Sequence, residues 1–357
     1  MHGKRKQRIL ELMKPLEIAQ NVPLTQYSTM HLGGTAAYAV GVRTRLEVEM
    51  AYAWALNRKL PCLMVGSGSN IVWKDEGFAG LLIVNQIKRF EFFQEDASNV
   101  YVIIGGGESW DESVARCTEA GLTGIECLSL IPGTAGATPV QNVGAYGQEI
   151  SNSLVSVEAY DTQKRSFLNI PVSDCAFGYR TSRFKTTDRG RFFITGITLH
   201  LTKGNPEPPF YNSLQKFLDE HNITNPTPQR IRDAVIAIRT AKLPNPNKVA
   251  NNGSFFANPI IDEALFVQLV ADNEDIPHWP AGPGNIKLSA AWLLDKAGFK
   301  DFHDPETGMA TWPNQTLVMV NEKATSTADL LKFKQKMVDA VKAKFDVTLE
   351  QEPELLP

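Results

Sequence analysis

An uncharged stretch rich in glycine and proline, residues 130–147, constrains the fold more than any other part of the sequence. It contains four glycines, two prolines and a single aromatic residue. Glycine and proline are unfavourable inside helices, and the segment lacks the alternating apolar pattern of a hairpin strand. Small residues let a backbone approach a flat or charged group closely, and its N–H groups can then bind phosphate or ring oxygens. We therefore expect a ligand-binding loop; the alternative is a long surface loop without a ligand.

A second turn, residues 66–70, is rich in glycine and serine and lies between two apolar runs. This pattern predicts two strands joined by a turn large enough to hold a phosphate. It does not match the dinucleotide fingerprint, because Ile71 holds the position of the third glycine and no helix pattern follows. It also lacks the lysine of a P-loop. This turn could therefore bind a nucleotide pyrophosphate, but not on a Rossmann or P-loop scaffold. The alternative is a hairpin turn without a ligand.

Composition narrows the class of protein. With 357 residues, of which 43% are hydrophobic and 21% charged, the chain is typical of a globular enzyme with two or three domains. A net charge of −3 argues against a nucleic-acid partner, and the one basic cluster, residues 4–8, predicts the solvated start of a helix. No apolar run is long enough to span a membrane, and no signal-peptide pattern opens the chain, so a cytoplasmic location is expected.

Cysteines and histidines give no pattern typical of a metal site. The four cysteines are scattered without a C-x-x-C pair, and the histidines are equally dispersed. We expect buried, reduced thiols and no metal.

Periodicity divides the chain into regular elements. It predicts helices at 45–58, 111–120, 228–243, 262–272, 288–297 and 326–345, and strands at 61–65, 81–84, 100–104, 154–160, 191–201 and 316–320. The Pro/Asn cluster at 244–246 is the clearest domain boundary, because proline ends the preceding helix.

Two short motifs place reactive side chains next to turns. In Phe177-Gly178-Tyr179-Arg180, the arginine could hold a carboxylate by a bidentate pair or be an ordinary surface residue. In residues 251–259, Ser254 could donate a proton where the transition state is strongly basic, or only close a turn.

Two charged groups complete the candidate chemistry. Arg239 and Lys242 end a predicted helix, where they suit either a phosphate or the helix dipole. On a strand, Glu350, Glu352 and Glu354 would share one face, which costs free energy unless a cation or substrate meets them.

In this order, the motifs resemble the UDP-N-acetylenolpyruvoylglucosamine reductase family. They are G-S-G-S-N at 66–70, I-P-G-T-A-G-A-T-P-V-Q-N-V-G-A-Y-G at 131–147, F-G-Y-R at 177–180, G-S-F-F-x-N-P at 253–259 and L-E-x-E at 349–352. The resemblance covers residues 27–352 and implies an α+β fold: a two-subdomain FAD-binding fold of the vanillyl-alcohol-oxidase type plus a smaller α/β substrate-binding domain. The expected divisions are 1–88, 89–242 and 243–346, with the tail 347–357 returning to the first subdomain.

The resemblance also implies a reaction, in which hydride passes from NADPH to non-covalent FAD and then to the enolpyruvyl ether of a UDP-sugar. Ser254 matches the proton donor, and Arg180 with Glu352 matches the pair that polarises the enolpyruvyl carboxylate. The residues implied to bind cofactor are Gly66, Ser67, Gly68, Ser69, Asn70, Ile131, Pro132, Gly133, Gly136, Ala137, Gln141, Asn142, Gly144, Ala145, Tyr146 and Gly147. Those implied to bind substrate are Tyr179, Tyr211, Arg239, Lys242, Asn258 and Gln315, of which Tyr211 matches the mobile-loop tyrosine of a longer subclass.

Some positions depart from the family pattern. Residues 308–313 diverge, so the shape of the third domain there is open. We interpret His31 as part of a non-covalent flavin wall, because this family does not attach its flavin through histidine. We expect a monomer whose partners are the UDP-sugar enolpyruvate and NADPH, with no nucleic acid or membrane partner.

Two other functions compete with this interpretation. An FAD-dependent oxidase of the same broad fold, acting on a sugar, lactone or alcohol, would share the glycine loops but would not need G-S-F-F-x-N-P or L-E-x-E. A nucleotide-sugar-binding protein that has lost its flavin would keep Lys242 and Arg180 but would not require Ser254.

Overall fold

The computed structural model describes residues 15–357, so the predicted helix start at residues 4–8 lies outside the described part of the chain. The first region is a mixed sheet with one covering helix. Its elements in chain order are β1 (Ala19–Pro23), β2 (Thr35–Val42), α1 (Arg45–Asn57), β3 (Cys62–Val65), β4 (Ile71–Trp73) and β5 (Phe78–Asn85). The sheet order is β1-β2-β5-β3, in which β5 runs parallel to both its neighbours. Because β3 and β4 flank residues 66–70, the predicted strand–turn–strand arrangement is confirmed.

The second region is built on an antiparallel sheet. Its elements are β6 (Phe90–Phe93), β7 (Asn99–Gly105), α2 (Trp110–Glu119), β8 (Leu122–Thr123), β9 (Gly144–Ala145), β10 (Gln148–Glu149), α3 (Ile150–Ser153), β11 (Leu154–Asp161), β12 (Ser166–Pro171), β13 (Phe192–Lys203), α4 (Asn212–Glu220) and α5 (Pro228–Lys242). The order is β12-β11-β13-β7-β6. Its apolar face packs against Trp110 and Val114 of α2. Residues 130–147 cross one end of this sheet, where the Gly136 N–H donates to the Gly106 carbonyl just after β7.

The third region combines two antiparallel sheets with three helices. Its elements are β14 (Asn251–Ser254), β15 (Ile260–Asp262), α6 (Glu263–Asp272), β16 (His278–Pro280), β17 (Asn285–Leu288), α7 (Ala290–Lys296), β18 (His303–Asp304), β19 (Met309–Trp312), β20 (Gln315–Asn321) and α8 (Thr327–Phe345). The sheet orders are β14-β20-β19-β18 and β15-β17-β16. The apolar face of α8 is buried at Leu330, Phe333, Met337, Val341 and Phe345 and half-buried at Ala340. The divergent segment 308–313 forms β19 and the turn into β20.

The C-terminal tail connects the regions. After α8 the chain runs beside residues 255–257 and ends in β21 (Glu354–Leu356), which pairs in parallel with β4. The helices and strands predicted from periodicity are confirmed, with ends that differ by a few residues at most. Among residues 15–357, no helix is both long and apolar enough to cross a membrane.

Candidate active site

A cavity of about 640 Å³ lies where the three regions meet. Most of the residues predicted to bind cofactor line it: Gly66, Ser67, Gly68, Ser69, Asn70, Ile131, Pro132, Gly133, Gly136, Ala137, Gln141 and Gly144. All three predicted catalytic residues, Arg180, Ser254 and Glu352, also line it. The structure therefore brings together motifs that are far apart in the sequence.

The first glycine loop (residues 66–70) and the second glycine loop (residues 130–147) contact each other across the cavity. The Ser69 hydroxyl donates to the Pro132 carbonyl at 3.0 Å, and the Asn70 amide donates to the side-chain oxygen of Gln141. A Cβ at Gly66 would overlap with the Thr134 hydroxyl. The backbone of the first loop thus lies directly against the second, as small residues allow.

A partly buried ion pair anchors the second glycine loop. Asp111 at the start of α2 pairs with Arg232 of α5 at 2.6 Å and accepts a hydrogen bond from the Leu130 N–H at 2.5 Å. Burial opposes ionisation of Asp111, but these two partners outweigh it and hold the pKa of the carboxyl below its usual value. The loop therefore begins at a fixed point on the helical layer.

The remaining residues predicted to bind cofactor lie behind the cavity wall. Asn142 is buried, and its amide donates to Glu149 at 2.6 Å and to the Gly178 carbonyl at 3.2 Å. Ala145, Tyr146 and Gly147 belong to the β9–β10 hairpin, which lies just outside the lining. These residues shape the second loop from behind.

Arg180 connects the second glycine loop with the C-terminal tail. Its Nη2 donates to the Gly144 carbonyl at 2.8 Å, and its Nε lies 3.3 Å from Oε1 of Glu352. The backbone of Arg180 is left-handed, with φ of 54°, a conformation that costs a non-glycine residue about 1–3 kcal/mol. The surrounding contacts must maintain this turn, which directs the guanidinium into the cavity rather than into solvent.

Backbone pairing places Glu352 near Ser254. The Glu352 N–H donates to the Phe255 carbonyl at 2.9 Å, and Ala257 donates to the Glu350 carbonyl at 3.0 Å. Because Phe255 follows Ser254 at the end of β14, the tail carries Glu352 to the wall that holds the serine. Burial raises the pKa of the Glu352 carboxyl, and the cations of Arg180 and Lys185 oppose that rise.

The three alternating glutamates do not share one strand, contrary to the simplest prediction. Glu350 is exposed, whereas Glu352 and Glu354 line the cavity and each meets an arginine, Arg180 and Arg189 respectively. Only Glu354 lies in a strand, because the tail pairs with β4 from that residue onward. The cations that the pattern required are therefore present.

The residues predicted to bind substrate divide into two groups. Tyr179, Arg239 and Asn258 line the cavity, and burial raises the pKa of the Tyr179 hydroxyl. The other three lie outside the lining. Lys242 is exposed at the end of α5, Tyr211 is 43% exposed, and Gln315 accepts a bond from the Leu317 N–H at 3.4 Å.

Comparison with known proteins decides the family. Residues 245–356 match the family described as UDP-N-acetylenolpyruvoylglucosamine reductase, C-terminal domain, and residues 36–164 match the FAD binding domain family. The reductase of that name from Burkholderia vietnamiensis is 38% identical over 344 residues, which cover 95% of this chain and 97% of the relative. The one from Ralstonia nicotianae is 38% identical over 334 residues, 93% of this chain and 97% of the relative.

The chain belongs to the UDP-N-acetylenolpyruvoylglucosamine reductase family. A solved structure of the reductase from Thermus caldophilus supports the fold, with a TM-score of 0.65 at 22% identity over 96% of this chain and 99% of that chain. The predicted fold class, an FAD-binding fold of the vanillyl-alcohol-oxidase type with a further domain, is confirmed.

The hydrogen-bond donors and cations around the cavity are suited to binding FAD. The two glycine loops present backbone to the cavity, and Arg180, Lys185, Arg189 and Arg239 bring positive charge to it. Within residues 15–357, the buried hydroxyl of Thr134 and Nε of Arg239 have no hydrogen-bond partner. Hydroxyl, guanidinium and backbone N–H groups are donors that suit phosphate and ring oxygens.

Several lining residues of this reductase were not singled out from the sequence. Lys185 and Arg189 belong to a cation-rich run that follows the F-G-Y-R motif, and that charge density was the available signal. Asn252 directly precedes the Gly253-Ser254 pair and was visible only as a polar turn residue. Lys287 lies outside the lining, but its Nζ is 4.7 Å from the centroid of the Tyr179 ring, and it carried no sequence signal.

The prediction for His31 is wrong. The side chain is exposed, its Nδ1 lies 3.2 Å from the Thr25 carbonyl, and it does not line the cavity. The left-handed backbone of His31, with φ of 56°, belongs to a surface turn.

Proposed function

We propose that the protein reduces UDP-N-acetylglucosamine enolpyruvate to UDP-N-acetylmuramate in peptidoglycan precursor synthesis, with NADPH as the reductant. The observation that carries this proposal is the convergence of Arg180, Ser254 and Glu352 on the cavity between the glycine loops. A generic flavin oxidase has no need of that trio. When bound, FAD would supply the hydride carrier between NADPH and the enolpyruvyl carbon.

Arg180 is proposed to hold and polarise the enolpyruvyl carboxylate. Hydride addition to one carbon of the double bond moves negative charge toward that carboxylate, and a fixed cation helps most where charge develops. The Gly144 carbonyl and Glu352 each contact the guanidinium, at 2.8 and 3.3 Å. The cation is therefore oriented before the substrate arrives.

Ser254 is proposed to deliver the proton that completes the reduction. A serine hydroxyl is a weak acid, but the carbon that has gained charge next to the carboxylate is a strong base, which makes the transfer feasible. Glu352 would assist by stabilising the same developing charge, since burial raises the pKa of its carboxyl and favours the protonated form.

Tyr179, Arg239 and Asn258 are proposed to contact the UDP-sugar or NADPH from within the cavity. The other three residues, Lys242, Tyr211 and Gln315, do not line the cavity, so they would contact these ligands only where the ligands extend beyond it. Tyr211 directly precedes α4, is 43% exposed and contacts the ring of Tyr146 at a centroid distance of 6.0 Å. The position of Tyr211 supports the proposal that the chain belongs to the longer subclass, in which such a tyrosine covers the uridine diphosphate.

The division into 1–88, 89–242 and 243–346, the roles of the glycine-loop residues toward FAD, the monomeric state and the cytoplasmic location stay predictions. The direct test of the function is product analysis. The purified protein, FAD and NADPH should convert the enolpyruvyl substrate to a product heavier by two hydrogens, with one NADPH consumed per product. Oxidation of NADPH by oxygen alone, with no change in the enolpyruvyl compound, would overturn the proposal.

A further inference from the structure

Asn252 is held in one orientation by three acceptors on its amide side. Its Nδ2 donates to the Thr29 hydroxyl at 3.1 Å, to the Ile71 carbonyl at 3.2 Å and to the Ser69 carbonyl at 3.4 Å. Carbonyl oxygens only accept hydrogen bonds, so they must face the amide nitrogen and not the amide oxygen. The side-chain oxygen, Oδ1, therefore points away from these residues.

The Oδ1 atom of Asn252 is buried without a partner. Asn252 is 5% exposed and lines the cavity, and no donor within residues 15–357 reaches its Oδ1. A buried acceptor left unpaired is costly, and native proteins seldom retain one without a reason. A fixed acceptor that faces a ligand cavity indicates that a ligand supplies the donor.

The chemistry of the acceptor and its neighbours limits the ligand. A carboxylate or a diphosphate has only acceptor oxygens, so neither can satisfy Oδ1. Two of the groups that fix Asn252, Ser69 and Ile71, belong to the first glycine loop and to β4, which supports a flavin nucleotide on that side. Asn252 also lies two residues before Ser254 and lines the same cavity, so it is within reach of a flavin ring that reacts beside the serine.

We propose that Oδ1 of Asn252 accepts a hydrogen bond from an N–H group of the FAD isoalloxazine ring and thereby positions the ring against Ser254. This inference rests on the proposed function, because it requires bound FAD. Oxidised and reduced flavin both carry a ring N–H between the two carbonyls, and reduced flavin carries a further N–H at the hydride-accepting nitrogen. The two donors give different experimental results.

The test uses the apoprotein of Asn252→Ala titrated with FAD, followed by measurement of the flavin reduction potential. A bond to the N–H present in both redox states predicts a Kd for FAD raised about tenfold with the potential unchanged. A bond to the N–H of reduced flavin predicts a reduction potential lowered by about 30 mV, because a tenfold change in the equilibrium constant of a two-electron couple corresponds to that shift. A Kd within twofold of wild type together with a potential within about 10 mV of wild type would overturn the inference.

Thr29→Val is the matched control, because it removes one anchor of the Asn252 amide and leaves Oδ1 in place. It should change the Kd and the potential much less than Asn252→Ala does, and an equal effect would reduce Asn252 to a structural residue. If Asn252→Ala does not fold as apoprotein, Asn252→Ser shortens the same side chain with a smaller packing loss and should shift the same quantities. Wild-type apoprotein that takes up no FAD would instead contradict the proposed function.

Discussion

Oε1 of Glu352 lies 3.3 Å from Nε of Arg180, although the first residue belongs to the C-terminal tail and the second to the middle of the chain. Both residues line the cavity, and two independent features bring them together. The left-handed backbone of Arg180 turns the guanidinium inward, and the hydrogen bond from Glu352 to the Phe255 carbonyl fixes the tail. The pair therefore forms only when the tail is correctly packed against the second region.

Ser254→Ala should separate the two half-reactions. Reduction of the flavin by NADPH should remain within about twofold of wild type, because it needs no proton from the serine. Reoxidation by the enolpyruvyl substrate should slow by about 100-fold or more, as expected for loss of a general acid. Stopped-flow absorbance of each half-reaction measures both rates, and Ser254→Cys, which retains a proton donor, serves as the comparison. Equal loss in both half-reactions would contradict the role of Ser254.

Glu352→Gln should change how stability depends on pH. The folded-state pKa of Glu352 is raised above its ordinary value of 4.5, so its contribution to stability is full below pH 4.5 and is lost as pH rises through the folded pKa. Wild-type protein should therefore lose stability relative to Glu352→Gln over that window. Urea unfolding of both apoproteins across the pH series measures the difference. A wild type that gains stability over the variant as pH rises would mean that the pair with Arg180 lowers the pKa.

Gly68→Ala should be far more damaging than Gly121→Ala. Both glycines have a left-handed backbone, with φ of 75° and 72°, so both variants incur the strain of about 1 kcal/mol. A Cβ at Gly68 would also overlap with the Tyr27 carbonyl, whereas nothing lies within 4 Å of a Cβ at Gly121. We expect a loss of about 3 kcal/mol at Gly68, measured by urea unfolding.

The same two variants should also differ in cofactor content. FAD should be lost from Gly68→Ala alone, since only that residue lies in the first glycine loop. Equal destabilisation of the two variants, with FAD retained in both, would show that close approach at Gly68 is unimportant.

Arg232→Met should weaken the anchor of the second glycine loop. It leaves the half-buried Asp111 carboxylate without its cation, which costs about 2 kcal/mol, less than in a fully buried pair. It should also lower the affinity for FAD, because Leu130 is bonded to Asp111. The double variant with Asp111→Asn should recover part of the stability, since the uncompensated charge is then removed. A double-mutant cycle by urea unfolding measures the coupling, and strictly additive losses would contradict the anchoring role.

The motifs with strong local chemistry could be predicted from the sequence. The composition of the glycine loops excludes an ordinary helix, but it did not show that the second loop ends in the β9–β10 hairpin. Arg180, Ser254 and Glu352 were found through the resemblance. Asn252 and Lys185 were not found, because their importance comes from contacts between distant segments: Asn252 with Ser69 and Ile71, and Lys185 with the Glu352 carbonyl at 3.3 Å. His31 was misplaced because a motif fixes the position of a side chain in the chain but not the direction in which a left-handed turn points it.

The proposed reaction requires the cavity to hold a flavin that accepts hydride from NADPH and passes it to the enolpyruvyl substrate. The most direct test is the visible spectrum of the FAD-loaded protein under anaerobic conditions, recorded as NADPH and then UDP-N-acetylglucosamine enolpyruvate are added. We expect NADPH to bleach the flavin bands and only the enolpyruvyl substrate to restore them. Bands that return with oxygen but not with that substrate would contradict the proposed reductase and favour the oxidase.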